Sequence, residues 1–442
     1  MSATSAAAVR GMGSEASAAT RGSAVRLAAE VGSRVLAMAT VFLLSVGLGV
    51  EGWGTWAALA ALAAIAAQLA NAGTQEVACR LLLARTVSLR ALMSARVILS
   101  AVVLLASAVT ALAAGLGLAR PGALLLAILT VDAVLVGWVE FLGTVLRARG
   151  RRGQEAMLLV LVRAAALAGV ALALSGHVDL TMVALAHAAS GILPLALGLH
   201  LVRAAPAEVH ADASPRAIDA LRASWPLAVN SGLALASLRL EVLALFAWRS
   251  PAEAGLFALA LKLVEALNGI PGAIAAGALP ALTREAVAQG GPQARERTAR
   301  TVALLAVPGA ALLFLLAPRV AAAWSPAYAP AAPYLRILGL ALVPMFMNAV
   351  LLHALIAAGR ALRVPALTAL RVAAAAVLAL ALIPRLGATG AAWGFLASEL
   401  VLLWAASRAC ARARFPVPVA SALTWGVALA SGRPQRKEAV RT

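Results

Sequence analysis

Sixteen polar side chains lie inside long apolar runs of this chain: Glu30, Arg34, Gln68, Asn71, Gln75, Asp132, Glu140, Arg163, Asn230, Arg239, Glu241, Lys262, Glu265, Asn268, Arg371 and Glu399. Eleven of them are ionisable. Left facing hydrocarbon at about 2.5–3.5 kcal/mol each, they would cost on the order of 30 kcal/mol, so most must pair with one another or line a hydrated interior. Arginine and lysine in such a space can hold an anion, arginine through a two-pronged fork that suits a phosphate. The candidate ligand-binding cations are therefore Arg34, Arg163, Arg239, Lys262 and Arg371. Gln68, Asn71 and Gln75 fall on one face of a helix, as do Lys262, Glu265 and Asn268 in the second half, so Gln68, Asn71 and Asn268 join the candidates as polar lining. Interhelical hydrogen bonding is the plain alternative for each. Asp132, Glu140 and Glu241 are the carboxylates that could carry a coupling proton or cation. Asp132 and Glu140 share one side of a helix, where partnering the arginines is the simpler role, and Glu30 with Arg34, one turn apart, can neutralise each other. His187 and His353 read as packed helix histidines.

The elements that position these groups follow from composition. With 63% apolar residues and 12% charged, the chain cannot present a water-soluble surface. The apolar runs are long enough to cross a ~30 Å hydrocarbon core as helices and do not alternate as barrel strands do. Twelve spans are expected, over residues 24–48, 55–79, 91–117, 122–146, 156–175, 182–202, 224–247, 254–282, 300–317, 335–357, 364–383 and 391–409. The fold class is thus an all-α polytopic membrane protein. Pro271, inside Gly269-Ile-Pro-Gly272, marks a break in the eighth span.

The twelve spans divide into two copies of six. RAAALAGVALAL at 163–174 recurs as RVAAAAVLALAL at 371–382, accompanied by Thr181 with Thr389, Ser190 with Ser398, and Gly54-x-Trp56 with Gly255-x-Phe257. Six helices per copy return each half to its starting side, so the repeats are parallel, related about an axis along the membrane normal, with a site expected between them. The expected organisation is a disordered cytoplasmic tail (1–23), an N-terminal six-helix bundle (24–202), a cytoplasmic linker (203–223), a C-terminal six-helix bundle (224–409) and a basic C-terminal segment (410–442) whose apolar stretch 417–431 is interfacial or a truncated span.

Arginine distribution sets the orientation, because cytoplasmic loops retain Arg and Lys. The loops holding Arg85 and Arg90, Arg147 to Arg152, Arg284 to Arg300, and Arg360 and Arg363 alternate with loops holding one arginine or none. Both termini of the helical body are expected inside, with Trp53, Trp248 and Trp324 as anchors at the interface. The net charge of +19 is a signal of topology and of attraction to anionic membrane lipids; no basic cluster interleaved with aromatics suggests nucleic acid. Cys79 and Cys410 have no metal-ligand spacing with the five histidines, and no Walker motif or other cofactor signature appears.

The segment Gly47-x-Gly49-x-Glu51-Gly52-Trp53-Gly54-x-Trp56, then Asn71-Ala72-Gly73 and Arg80, resembles the opening of the polysaccharide (O-antigen type) flippases of the multidrug/oligosaccharidyl-lipid/polysaccharide exporter superfamily. Pro226, Glu241, Ala254-Gly255-x-Phe257-x-x-Ala260-x-Lys262-Leu263 and Ala278-Leu-Pro280-Ala-Leu282 are similar to that family's second half. Phe257 and Glu241 stand where tyrosine and aspartate are usual. The resemblance implies two six-helix bundles in a V, as in multidrug exporters of this superfamily. It further implies translocation of a polyprenyl-diphosphate-linked oligosaccharide across the cytoplasmic (inner) membrane for cell-surface polysaccharide synthesis. Polysaccharide polymerase and glycosyltransferases would be its working partners. The chain would act by alternating access, with no covalent chemistry and no cofactor. A proton- or sodium-coupled antiporter of drugs or small molecules in the same superfamily is the alternative, and the short outer loops argue against a membrane enzyme.

Overall fold

The computed structural model describes residues 3–116, 122–176, 179–204, 216–288 and 290–430, with side chains from residue 28 onward except at 115, 226, 429 and 430. Most of the expected linker, the loop holding Arg120 and the last twelve positions lie outside the described residues. The described residues are helical throughout, with no strand.

Among the described residues, ten helices are long and apolar enough to cross a membrane. Two of them, Ala28–Leu83 and Arg363–Arg412, hold two spans each, and this recovers the twelve expected. Their turns sit at Gly49 (φ 69°) and Gly387 (φ 56°), in a backbone region where an L side chain would meet its own carbonyl and only glycine is comfortable. The protein is therefore an all-helical, multi-pass membrane protein.

The chain divides into two compact units. The first contains most of α1 (Ala3–Asn71), α2 (Thr74–Leu83), α3 (Leu89–Gly115), α4 (Ala123–Ala148), α5 (Arg152–Leu174), α6 (Leu180–Ser190), α7 (Ile192–Arg203) and the opening of α8 (Ala217–Trp248). Helix α1 runs back through the segment expected to be a tail. Ser88 and Asp179 start α3 and α6 by accepting the backbone N–H of Ala91 and Met182, which replaces a hydrogen bond that the first helical turn lacks. The centre of this unit is α4, whose Phe141, Leu142, Val145 and Leu146 are fully buried against Val77 and Ala78 of α2, Leu92 and Ala95 of α3, and Leu158 of α5. By contrast, Val102, Leu105, Val109 and Leu112 make one exposed apolar stripe on α3, which suits contact with lipid.

The second unit holds the rest of α8, α9 (Pro251–Leu267), α10 (Gly269–Ala288), α11 (Gln293–Trp324), a short 3₁₀ turn (Pro326–Ala331), α12 (Ala332–Ala357), α13 (Arg363–Arg412) and α14 (Val419–Ala430). Ser250 caps α9 and Pro251 occupies its first turn, where no N–H is needed. The break between α9 and α10 falls at Asn268, one turn before Pro271. Helix α12 is the core, with Leu338, Leu342, Met347, Val350, Leu351 and Leu355 inaccessible. At 12 residues α14 extends only about 18 Å, too short to cross. It packs on α11, where Gly426 lies close to Ala303, while Arg295 donates to Pro416 O (2.9 Å) and stacks on Phe415.

Two departures from the chain-order halves matter. The hairpin Gly49–Ala58, which the sequence assigns to the first bundle, belongs to the second unit, and α8 up to Gly232 belongs to the first. Trp53, expected as an interfacial anchor, is instead only 3% exposed. The hairpin that carries it is packed into the second unit, and packing outweighs the indole's preference for the headgroup level. Trp248 remains exposed, as an anchor requires.

Candidate functional site

Each unit holds a polar network at membrane depth. In the first, Arg163 on α5 lies 3.1 Å from Glu140 on α4, and Gln75 on α2 donates to the other oxygen of Glu140 at 3.4 Å. The Arg163 and Glu140 side chains are 34% and 33% exposed, so this pair meets open space and is only partly dehydrated. Arg163 reaches the carboxylate through one terminal nitrogen, which leaves its fork unspent.

Beside it sits a residue absent from the sequence candidates. Arg96 on α3 is buried, donating to Asn71 Oδ1 (2.7 Å), Thr74 Oγ1 (3.1 Å) and Gly137 O (2.6 Å). Its guanidinium lies over Phe141 and Trp138, and Trp138 is itself held by Ser100 at 3.0 Å. Asn71 passes the interaction on by donating to Glu76. Ala72 (φ 42°) and Gly73 (φ 73°) both adopt left-handed backbone here, so Arg96 clamps the two ends of the break between α1 and α2. Arg96 lies near the start of its span and reads in sequence as one more flanking arginine. The only signal that separates it is its place one turn inside an apolar run.

Asp132 pairs with His187 (3.0 Å) on α6 and not with an arginine, which corrects the expected role; α4 turns Glu140 toward Arg163, and Asp132, eight residues earlier, meets α6. Gln68 Nε2 is buried without a partner among the described residues. Arg34 and Glu30 form an exposed pair one turn apart (3.1 Å).

In the second unit Glu265 on α9 lies between two cations, Lys262 Nζ at 2.7 Å and Arg239 Nη1 at 3.3 Å. Arg371 and Glu399, both on α13 but on opposite sides of its turn at Gly387, approach to 3.0 Å. Glu399 also accepts from Asn348 Nδ2 of α12 at 2.8 Å. This pair is dry, with side chains 11% and 3% exposed, and Arg371 additionally lies over Phe395. The two repeat-related arginines thus have different environments: Arg163 is one-third exposed, whereas Arg371 is largely buried.

Glu241 on α8 is 1% exposed, and neither of its oxygens has a hydrogen-bond partner among the described residues. The charged groups it senses are Arg371, Glu399 and Glu265. A dehydrated carboxylate without a donor is far less costly with a proton bound or a cation beside it. Asn268 sits at the α9–α10 break and is half-buried.

The described residues thus make an all-helical, multi-pass membrane fold whose spans carry paired charges. The family model described as "Polysaccharide biosynthesis protein" matches residues 19–285, more than half of the chain, and the protein belongs to that family. Among solved structures, the lipid II flippase MurJ in an inward closed conformation is similar at 9% identity, covering 93% of each chain with a TM-score of 0.69. An inward-facing multidrug resistance MATE family transporter of the MOP superfamily is similar at 17% identity, over 90% of this chain and 95% of that one, with a TM-score of 0.64. The eukaryotic MATE transporter AtDTX14 matches at 13% identity, over 91% and 97% of the two chains, with a TM-score of 0.55. At these identities the likeness is one of fold. No curated protein sequence matches the chain.

Proposed function

We propose that the protein is a flippase that moves a polyprenyl-diphosphate-linked oligosaccharide from the inner to the outer leaflet of the cytoplasmic membrane, by alternating access and without covalent chemistry. The observation that carries this reading, within a family of polysaccharide biosynthesis proteins, is a guanidinium at membrane depth that stays one-third exposed with part of its fork unspent: Arg163. Arginine's fork suits two oxygens of a phosphate group. Arg239 and Lys262, which share Glu265, would be the corresponding cations of the second unit. Arg34, Gln68, Asn71 and Asn268 remain proposed as lining, although Asn71 is largely engaged by Arg96. Glycosyltransferases would supply the substrate and a polymerase would consume it.

A second reading, proton- or sodium-coupled export of a drug or small molecule, has one specific observation in its favour, the unpartnered buried carboxylate of Glu241. Glu241 also suits the flippase, as the group through which an ion gradient would drive it. Asp132 and Glu140, each already paired, are weaker coupling candidates.

Purified protein in lipid vesicles separates these readings. A fluorescent polyprenyl-diphosphate glycan is expected to change leaflets with its mass unchanged, at a rate raised by an imposed proton or sodium gradient in the native protein and insensitive to it in Glu241→Gln. A product of altered mass that depends on the protein would overturn the flippase reading. Transport of cationic dyes but not of the glycan would establish the antiporter instead.

The proposed orientation, termini inside, has its own check. Single cysteines replacing Glu51, Asp179 and Arg385 are expected to react with an impermeant thiol reagent on intact cells, and those replacing Arg151, Asp212 and Glu296 to be protected. The reverse pattern would invert the topology.

A further inference from the structure

The last turns of α13 carry a stripe that the proposed transport does not use. Leu400, Trp404, Arg408 and Arg412 follow one another at four-residue intervals, so they lie along one face of the helix, about 18 Å from first to last. All four are exposed, Trp404 by 61%. The Arg408 guanidinium lies over the Trp404 ring at 5.3 Å. A guanidinium stacked on a ring keeps the N–H groups at its edge free. Among the described residues, neither Arg408 nor Arg412 meets a carboxylate or another hydrogen-bond acceptor. Carboxylates of the same unit are already spent, Glu285 on Arg295, Glu296 on Arg300 and Glu399 on Arg371.

The turn that follows is fixed in place. Arg414 takes a left-handed backbone (φ 56°) at the point of a helix end where glycine is usual, while Arg414 N and Phe415 N donate back to Ala411 O and Cys410 O, each at 3.0 Å. Arg295 holds this turn from α11, donating to Pro416 O and stacking on the buried Phe415 at 4.1 Å. Arg414 is itself exposed. An arginine kept in a backbone conformation that disfavours it, on an anchored turn and with its side chain unspent, points to a use for that side chain.

The order of chemistry along the stripe selects the ligand. Toward the helix end it reads apolar, aromatic, cationic, cationic, as a phospholipid reads acyl chain, glycerol ester and phosphate. Indoles settle at the headgroup boundary of a bilayer, and an arginine one turn farther out meets phosphate. Three cations without an anion favour a headgroup of net negative charge over a zwitterion. We propose that the end of α13 is a binding site for one anionic phospholipid, with the phosphate on Arg408 and Arg412, the glycerol region against Trp404, an acyl chain along Leu400 and Arg414 at the rim. In the orientation proposed above this lipid belongs to the inner leaflet. The site lies wholly within the second unit and is independent of the cargo.

The probe is phosphatidylglycerol brominated on its acyl chains, which quenches the fluorescence of tryptophans that it touches; brominated phosphatidylcholine at the same mole fraction is the comparison. Full-length protein and its Trp404→Phe variant are placed in vesicles, and the difference between them isolates Trp404 from the other tryptophans. That difference is expected to be quenched several-fold more by the anionic lipid. Arg408→Gln combined with Arg412→Gln, measured in the same paired way, is expected to erase the preference, and lysine at both positions to keep most of it. Arg80→Gln with Arg90→Gln removes two exposed arginines of the first unit and should leave the preference intact. Equal quenching by the two lipids, or an equal loss in the first-unit variant, would reveal only the general attraction of a basic surface to a charged bilayer and would overturn the site. Release of the quenching by inorganic phosphate, or by an equimolar polyprenyl diphosphate, would also overturn it, the first by making the ligand a free anion and the second by making it the cargo.

Discussion

Replacing Arg371 by alanine is expected to destabilise the protein by about 3–5 kcal/mol, because it leaves a buried carboxylate without its compensating cation. Glu399 is 3% exposed and would keep only the amide of Asn348. A thermal melt in detergent should show the loss, and transport should fall in proportion to the folded fraction. Arg371→Ala combined with Glu399→Gln should recover much of the stability, since the orphaned charge goes with its partner. Arg163→Ala is the informative contrast. Its pair with Glu140 is one-third exposed on both sides, so water screens the loss and the melt should move little. Transport of the glycan should nevertheless collapse, and Arg163→Lys should keep part of it, since the charge survives without the fork. An Arg371→Ala protein that melts normally but does not transport would reverse these roles and make Arg371 the ligand contact.

The second large effect is expected at Arg96. Arg96→Ala strips the donors from Gly137 O and Thr74 Oγ1 and the shortest one from Asn71 Oδ1, in a buried site. One to two orphaned buried acceptors and the lost stacking on Phe141 amount to roughly 3 kcal/mol. The damage should be local first. Residues 71–76 hold the left-handed break between α1 and α2, and their amide hydrogens should exchange faster well before the unit melts. Arg96→Lys can satisfy one acceptor but cannot bridge Asn71 to Gly137, so it should fall between the two. Unchanged exchange at 71–76 in Arg96→Ala would show that the break holds itself.

The collective claim about buried charge was legible in the sequence because its physics is additive: eleven ionisable groups cannot all face lipid, whatever the packing. That an arginine would partner Glu140 was accessible through opposite sign, and the stripe of Lys262 and Glu265 through helical spacing; which arginine meets Glu140 was not. Arg96 was not, because position relative to a span's end says little when flanking arginines are common. Asp132 was assigned an arginine and found a histidine; one-dimensional spacing places it on a face of α4 but cannot say which helix that face meets. Trp53 shows the same gap, since interface and interior both welcome an indole.

Composition and periodicity by themselves determined a twelve-span helical membrane protein, which follows from hydrocarbon thickness and the period of the helix, and the motif at 163–174 that recurs at 371–382 divided it into two halves. The glycine turns at 49 and 387 were present in the sequence as glycines, but only the fold shows that each makes the turn between two successive spans. Tertiary structure alone decided that Arg163 is partly exposed and Arg371 buried, although the two stand at equivalent points of the repeat. Exposure is a property of what packs around a helix, and the two halves, with similar helices, surround the same residue with different neighbours.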